Sequence, residues 1–112
     1  MVADENCIDS GDIPPISDAF DGINIKLMKC GGLREAHKMI QMARECNMKI
    51  MLGCMVETSI AITAAAILSP LVDYADLDGN ILTSNDPFDG VKVVDGMLVL
   101  PEGSGLGVNL KE

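Results

Sequence analysis

Three groups of residues in this chain have types and spacings that could do chemistry. The first is Lys26, in the middle of INIKL, where β-branched and apolar residues would otherwise make an ordinary buried strand. An unpaired ammonium group is costly there, so something must use it or satisfy it. The second is Asp76 and Asp78, two residues apart in YADLD, which would share one face of a strand, repel each other and call for a cation between or beside them. Strand-end aspartates that simply start a turn before Gly79-Asn80 give the same pattern. The third is Asp4-Glu5, carboxylates directly after the apolar pair Val2-Ala3, where a strand end could offer oxygen ligands to a hard cation. Solvated charge near a terminus is the competing explanation.

The elements that must hold these residues follow from periodicity. The run Asp21–Leu33 reads as a strand, a Gly31-Gly32 loop and the start of a helix, with Ile23, Ile25 and Leu27 on one strand face and Asn24, Lys26 and Met28 on the other. Lys29 would then point away from Lys26, as a solvated or interfacial charge. Leu33, Ala36, Ile40 and Ala43 recur at helical spacing, and Asn47 is a left-handed stop. His37 flanks the apolar stripe as a helix residue. A second strand, 49–56, runs toward Glu57, which shares its face with Met51, Gly53 and Met55. Thr58 or Ser59 can cap the following helix, which is apolar nearly all round and therefore expected to be covered on more than one side. A third strand, 72–78, carries Asp76 and Asp78. Asp95-Gly96 between VKVV and MLVL is the signature of a tight hairpin, and the tail PEGSGLGV reads as coil.

Composition narrows the function classes. The chain has 112 residues, 48% of them hydrophobic but with no Trp, one Tyr and two Phe, so its core is aliphatic. A net charge of −9 with only eight Lys and Arg disfavours nucleic acid and anionic membranes as partners. The longest apolar stretch, 60–68, is far below the roughly 20 residues of a membrane span. Asp4 and Glu5 stand where a signal peptide would be basic, and Cys7, Cys30, Cys46 and Cys54 show no ligand-like spacing, so reduced thiols and a cytoplasmic location are expected.

Strand, helix, strand, helix, strand implies parallel neighbouring strands with right-handed crossovers. An open doubly wound sheet would cover both faces with helices and would not accommodate Lys26, Glu57, Asp76 and Asp78 inside. A (β/α)8 barrel of the TIM type would, because its active site lies at the C-terminal ends of the strands. The expected fold is therefore α/β, the C-terminal part of such a barrel, followed by a β-hairpin.

Taken together, ADEN at 3–6, INIKLMKCGGL at 23–33, GCMVETS at 53–59, DLDG at 76–79 and the closing GSGLGV resemble the enolase superfamily. Within it they are most similar to the muconate-lactonizing subgroup and its dipeptide epimerases of the L-Ala-D/L-Glu type. The resemblance implies that residues 1–79 span the end of barrel strand 5 through strand 8, and that 80–112 form a loop, hairpin and tail returning toward a capping domain outside the chain. It implies that Asp4 is one of three carboxylate ligands of a catalytic magnesium, Lys26 the strand-6 acid/base, and Glu57 a substrate-lining residue. Asp76 and Asp78 would receive the α-ammonium group of a dipeptide. The chemistry implied is a 1,1-proton transfer at the carbon α to a carboxylate, needing a metal and two bases on opposite faces. The resemblance leaves the other base and the other metal carboxylates outside this chain, so the chain by itself is expected to lack epimerase activity and to hold no magnesium. Two alternatives are another enzyme of the subgroup, a muconate cycloisomerase or N-acyl amino acid racemase, and a non-catalytic half barrel that self-associates as a homo-oligomer through its exposed strand edges.

Overall fold

The computed structural model describes residues 1–112. Its centre is a four-stranded parallel sheet in the order β1 (Val2–Ala3), β2 (Gly22–Ile25), β3 (Lys49–Leu52), β4 (Tyr74–Ala75). The opening residues are thus a strand end, as the sequence suggests, laid beside the central strand with Ala3 opposite Ile23. Between β1 and β2 the chain makes a 3-10 turn at Ser10–Asp12 and one helical turn, α1 (Ile13–Ile16). Proline at two of the four α1 positions suits a first helical turn and stops it growing.

The central strand is shorter than its apolar pattern suggests. β2 ends at Ile25, Lys26 keeps an extended backbone, and Leu27–Cys30 coil into a single helical turn, α2. Gly31 (φ 91°) and Gly32 (φ 134°) then redirect the chain into α3 (Leu33–Glu45), at backbone angles that side chains with a Cβ rarely adopt. α3 buries Ala36, Met39, Ile40 and Ala43, exposes His37, and is followed by Asn47 in the left-handed conformation (φ 56°), as its sequence predicts.

Register decides which side chains share a face. Asn24 lies opposite Met51, and Met51 opposite Tyr74; Ile25 lies opposite Leu52, and Leu52 opposite Ala75. Ile23, Ile25, Ile50 and Leu52 are fully buried, together with Ala36, Met39 and Ala43 of α3 and Ile62 and Ala66 of the next helix. The other face, which carries Asn24, Met51 and Tyr74, has no helix layer of this chain over it, and Tyr74 is 57% exposed. A sheet with one helix-packed face and one open face is what a section of a (β/α) barrel presents.

The second helix, α4 (Ser59–Ala66), differs from expectation in two ways. Ile60 and Ile67 are exposed, so this chain covers it on one side only. Its start is capped by Asp86 rather than by Thr58 or Ser59: the Ser59 backbone N–H (2.8 Å) and hydroxyl (2.5 Å) both donate to Asp86 Oδ2. A cap of this kind contributes about 1 kcal/mol, and here it also ties a loop 27 residues away to the helix. The stretch 101–108 has no helix or strand, as its glycines suggest, but the segments on either side of the hairpin and this stretch pair with each other. β5 (Phe88–Asp89) pairs antiparallel with β8 (Asn109–Leu110), while β6 (Lys92–Val94) and β7 (Met97–Val99) form the expected hairpin, with Asp95 (φ 51°) and Gly96 (φ 77°) in its turn.

Asp73 anchors β4, a two-residue strand at the edge of the sheet. Its Oδ2 accepts from the Ile50 N–H (2.8 Å) and Arg44 Nη1 (2.6 Å), and its Oδ1 from Lys49 Nζ (3.3 Å). The Ile50 amide, then Arg44 and Lys49 outweighing partial burial, hold its carboxyl down at about 2. A carboxyl depressed in the folded state stabilises the fold above its unfolded value, near 4, and that contribution is lost as pH falls through the folded value. Thermal unfolding followed from pH 6 to pH 2 will therefore show a falling midpoint between about pH 4 and pH 2, and Asp73→Asn will flatten that fall. An unchanged pH profile in Asp73→Asn would remove Asp73 as the anchor.

Candidate active site

The open face carries the candidate site. Asp4 follows β1 in the position that register places beside Asn24, and Lys26 follows on the same face of β2. Lys26 Nζ lies 2.9 Å from Asp4 Oδ2, and Asn24 Nδ2 approaches the same oxygen at 3.4 Å. The costly mid-sheet ammonium is thus satisfied by a carboxylate from the neighbouring strand, with the Lys26 side chain only 14% exposed.

Lys29 belongs to the same cluster, against expectation. Its Nζ donates to Asp4 Oδ1 (2.6 Å) and Glu5 Oε1 (2.7 Å), with its side chain also 14% exposed. The reason is local: strand alternation ends at Lys26, and the helical turn of α2 carries Lys29 round to the β1 side. Burial opposes ionisation of Asp4, but hydrogen bonds and charge from Lys29 and Lys26 prevail and hold its carboxyl below the usual range. Burial likewise disfavours the Lys29 ammonium, and Asp4 and Glu5 overcome it, raising its pKa.

Asn24 was missed by the sequence reading as a site residue. Its side chain is buried, and Oδ1 has no hydrogen-bond partner. It fits only because residue 53 is glycine: a Cβ there would come within 2.6 Å of Asn24 Oδ1. A buried asparagine between two strands is visible in sequence only as a polar residue inside an apolar run.

Glu57 is displaced from its expected strand. β3 stops at Leu52, and the Glu57 carboxylate turns back to accept the Met55 N–H at 2.7 Å. Asp76 and Asp78 follow β4 and are exposed; with Val93, Gly96 and Leu98 of the hairpin they line a shallow hollow. Asp78 Oδ1 lies 3.9 Å from Cys54 Sγ. Burial, with the charges of Asp78 and Glu57, raises the Cys54 thiol pKa against backbone hydrogen bonds that lower it. Cys7 is pushed up to about 11 by burial and by Asp12 and Asp9, and all four cysteines are free thiols. Two strand spacings, roughly 10 Å, separate the β2 and β4 lines of the face, so Lys26 and the aspartate pair flank a gap rather than touch.

Magnesium fits this chain only in part. Asp4 is an oxygen ligand of the right type, but the neighbouring Asn24 turns its Nδ2 toward it and its unpaired Oδ1 toward Gly53. No three acidic, histidine or cysteine side chains converge on one point, however, and both Asp4 oxygens already receive ammonium groups. Nor is any helix long and apolar enough to cross a membrane.

Comparison with known proteins identifies relatives of this chain. The chain is 56% identical over 108 residues to an L-Ala-D/L-Glu epimerase of Bacteroides thetaiotaomicron, covering 96% of this chain and 28% of that protein. It is 46% identical over 113 residues to an L-Ala-D/L-amino acid epimerase of Maribacter, covering 100% of this chain and 34% of that protein. Its backbone matches a dipeptide epimerase from Methylococcus capsulatus, solved with Mg and the dipeptide L-Arg-D-Lys, at a TM-score of 0.89 and 35% identity, over 96% of this chain and 32% of that one. The chain thus spans about a third of the length of the relatives it matches. A family model described as "Enolase C-terminal domain-like" matches residues 1–112, and the chain belongs to that family.

Proposed function

We propose that this chain supplies barrel strands 5 to 8 of a magnesium-dependent dipeptide epimerase, within residues 1–79, and that residues 80–112 return toward a capping domain. The observation that carries the proposal is the convergence of Asp4, Asn24 and Lys26 on one open sheet face, with Asp76 and Asp78 two strands away on the line set by Tyr74. A relative more than half identical is an L-Ala-D/L-Glu epimerase.

In this reading Lys26 moves the proton at the carbon α to the substrate carboxylate, from one side of that carbon. Its partial burial suits the role, because an ammonium group shielded from water transfers its proton at a defined place. The second base, on the opposite side, comes from outside these residues. Asp76 and Asp78 receive the α-ammonium group of the dipeptide, which supplies the cation that their proximity asks for. Glu57, at the start of α4, lines the space between. Magnesium, when bound by Asp4 and further carboxylates outside the chain, would supply positive charge against that developing on the substrate carboxylate.

Activity is testable by replacing the matching 108-residue segment of the Bacteroides relative with this chain. The chimera will exchange the α-proton of the Glu residue in L-Ala-L-Glu for deuterium, whereas the isolated chain will not. Lys26→Ala in the chimera will lower kcat by about 10²- to 10⁴-fold. Asp78→Asn will raise KM for the dipeptide about tenfold through loss of a charge-assisted hydrogen bond. Full activity in Lys26→Ala would refute the assignment, and preferential turnover of N-acyl amino acids would favour the racemase alternative.

The sheet edges favour one further property of the isolated chain. β1 and β4 each have a strand neighbour on one side only, and Val2, Met55 and Tyr74 are exposed. Edges of this kind pair with another copy, so the purified chain is expected to run as a homodimer or larger assembly in light scattering at micromolar concentration. A single monomeric species would contradict it.

A further inference from the structure

Gly53 forms the floor of the gap between Lys26 and the aspartate pair. Its backbone N–H donates to the Ile25 carbonyl at 2.8 Å, and on the other side of β3 the Asp76 N–H donates to the Leu52 carbonyl at 2.9 Å. Ile25 lies opposite Leu52, so continuing the register by one residue sets Gly53 beside Lys26 on the open face. A side chain at residue 53 would stand next to the lysine stem. The space is taken instead by the amide of Asn24, reaching across from β2: a Cβ on residue 53 would meet Oδ1 at 2.6 Å, Nδ2 at 3.0 Å and Cγ at 3.1 Å. Asn24 is 8% exposed, so the amide has little room to move away. It is closed in between Gly53 and Asp4, with Nδ2 3.4 Å from Asp4 Oδ2, the oxygen that also accepts from Lys26 Nζ at 2.9 Å. Turning the amide over would set two oxygens against each other, so the charge of Asp4 fixes its orientation and leaves Oδ1, which has no donor, on the Gly53 side. A buried oxygen without a donor destabilises the fold, which points to a role for the amide in the site rather than in stability.

We propose that Asn24 is a positioning residue for Lys26, and that residue 53 must be glycine for it to act. Backed against Gly53, the planar amide limits how far the Asp4 carboxylate can swing over β3. Asp4 in turn fixes the Lys26 ammonium group at one place on the open face. The proposal rests on the reading of Lys26 as the acid/base on one side of the substrate α-carbon. Asn24 acts through Asp4 and Lys26 and not on the substrate. A misplacement of the lysine by even an ångström costs rate, because proton transfer needs the nitrogen within hydrogen-bond reach of that carbon's proton.

The test uses the chimera with the Bacteroides relative and follows initial deuterium exchange at the Glu α-carbon of L-Ala-L-Glu and of L-Ala-D-Glu separately. The two epimers present that proton to opposite sides of the carbon, so a misplaced Lys26 slows one and spares the other, whereas a general loosening slows both. Asn24→Ala and Gly53→Ala will each slow the epimer that Lys26→Ala slows, on the order of tenfold relative to the other. The double variant will lose no more than Asn24→Ala alone, because the methyl group at residue 53 acts only through the amide. Where Lys26→Ala gives a one-sided loss, three results would overturn the proposal alone: equal slowing of both epimers by the two substitutions, no change in Asn24→Ala, or additive effects in the double variant. A chimera that exchanges neither epimer, or in which Lys26→Ala slows both alike, would overturn the reading of Lys26 and the proposal with it. A second measurement needs no catalysis and uses the 112-residue chain. In Gly53→Ala, proton NMR will show a nuclear Overhauser contact between the new methyl group and the Asn24 side-chain amide, whose signals will shift. Unmoved amide signals would mean that residue 53 does not confine Asn24, and would overturn the proposal even if the substituted chimera fails to fold.

Discussion

The site depends on one carboxylate. Asp4 receives two ammonium groups and one amide, from Lys26, Lys29 and Asn24, and all three donors lie on β2 or the turn that follows it. Each lysine side chain is mostly withdrawn from water, where a charge without a partner is strongly unfavourable. β1 is only two residues long, so its backbone ladder alone is a weak tether. The ion pairs hold β1 to the sheet, and the sheet in turn places Asp4 where its charge is useful. Local structure and site chemistry are therefore one problem at this corner of the fold.

The rest follows from the division of the sheet into two faces. Ile23, Ile25, Ile50 and Leu52 pack with α3 and α4 side chains in an aliphatic core that uses no tryptophan. The same alternation sends Asn24, Lys26 and Met51 the other way. A one-residue slip in register would put the lysine into the core and the isoleucines on the open face, so burial of one face specifies the chemistry of the other. Gly53 is part of this arrangement, because the space its missing side chain leaves is filled by the Asn24 amide. At the far edge, Asp73 locks β4 to β3 and α3, and that fixes the line from which Asp76 and Asp78 project.

Much of this was legible in the sequence where the signal was local. Lys26 announced itself as a charge inside an apolar strand, α3 by its spacing, Asn47 and the Asp95-Gly96 turn by their backbone preferences. What escaped was set by a change of backbone geometry or by a distant partner. Lys29 was assigned to the wrong side because alternation was carried past Lys26, into residues that form a helical turn. Glu57 was placed on a strand that stops at Leu52, five residues earlier. The Asp86 cap on Ser59 and the pairing of Phe88–Asp89 with Asn109–Leu110 each join residues far apart in the chain, which no window of local sequence can show. The family resemblance, by contrast, rested on short motifs in the right order, and four of the five lie within or directly after the strands of the parallel sheet.

The most direct measurement of the central claim, that Asp4 joins both lysines into one unit, is a pair of double-mutant cycles in denaturant unfolding. Asp4→Asn would be combined in turn with Lys26→Met and with Lys29→Met. If the cluster exists as described, each lysine substitution will cost less in the Asp4→Asn background, with a coupling on the order of 1 kcal/mol per pair after allowing for the partial exposure of Asp4. Additive effects in both cycles would mean that the lysines and the carboxylate act independently, and the account of this site would fall with them.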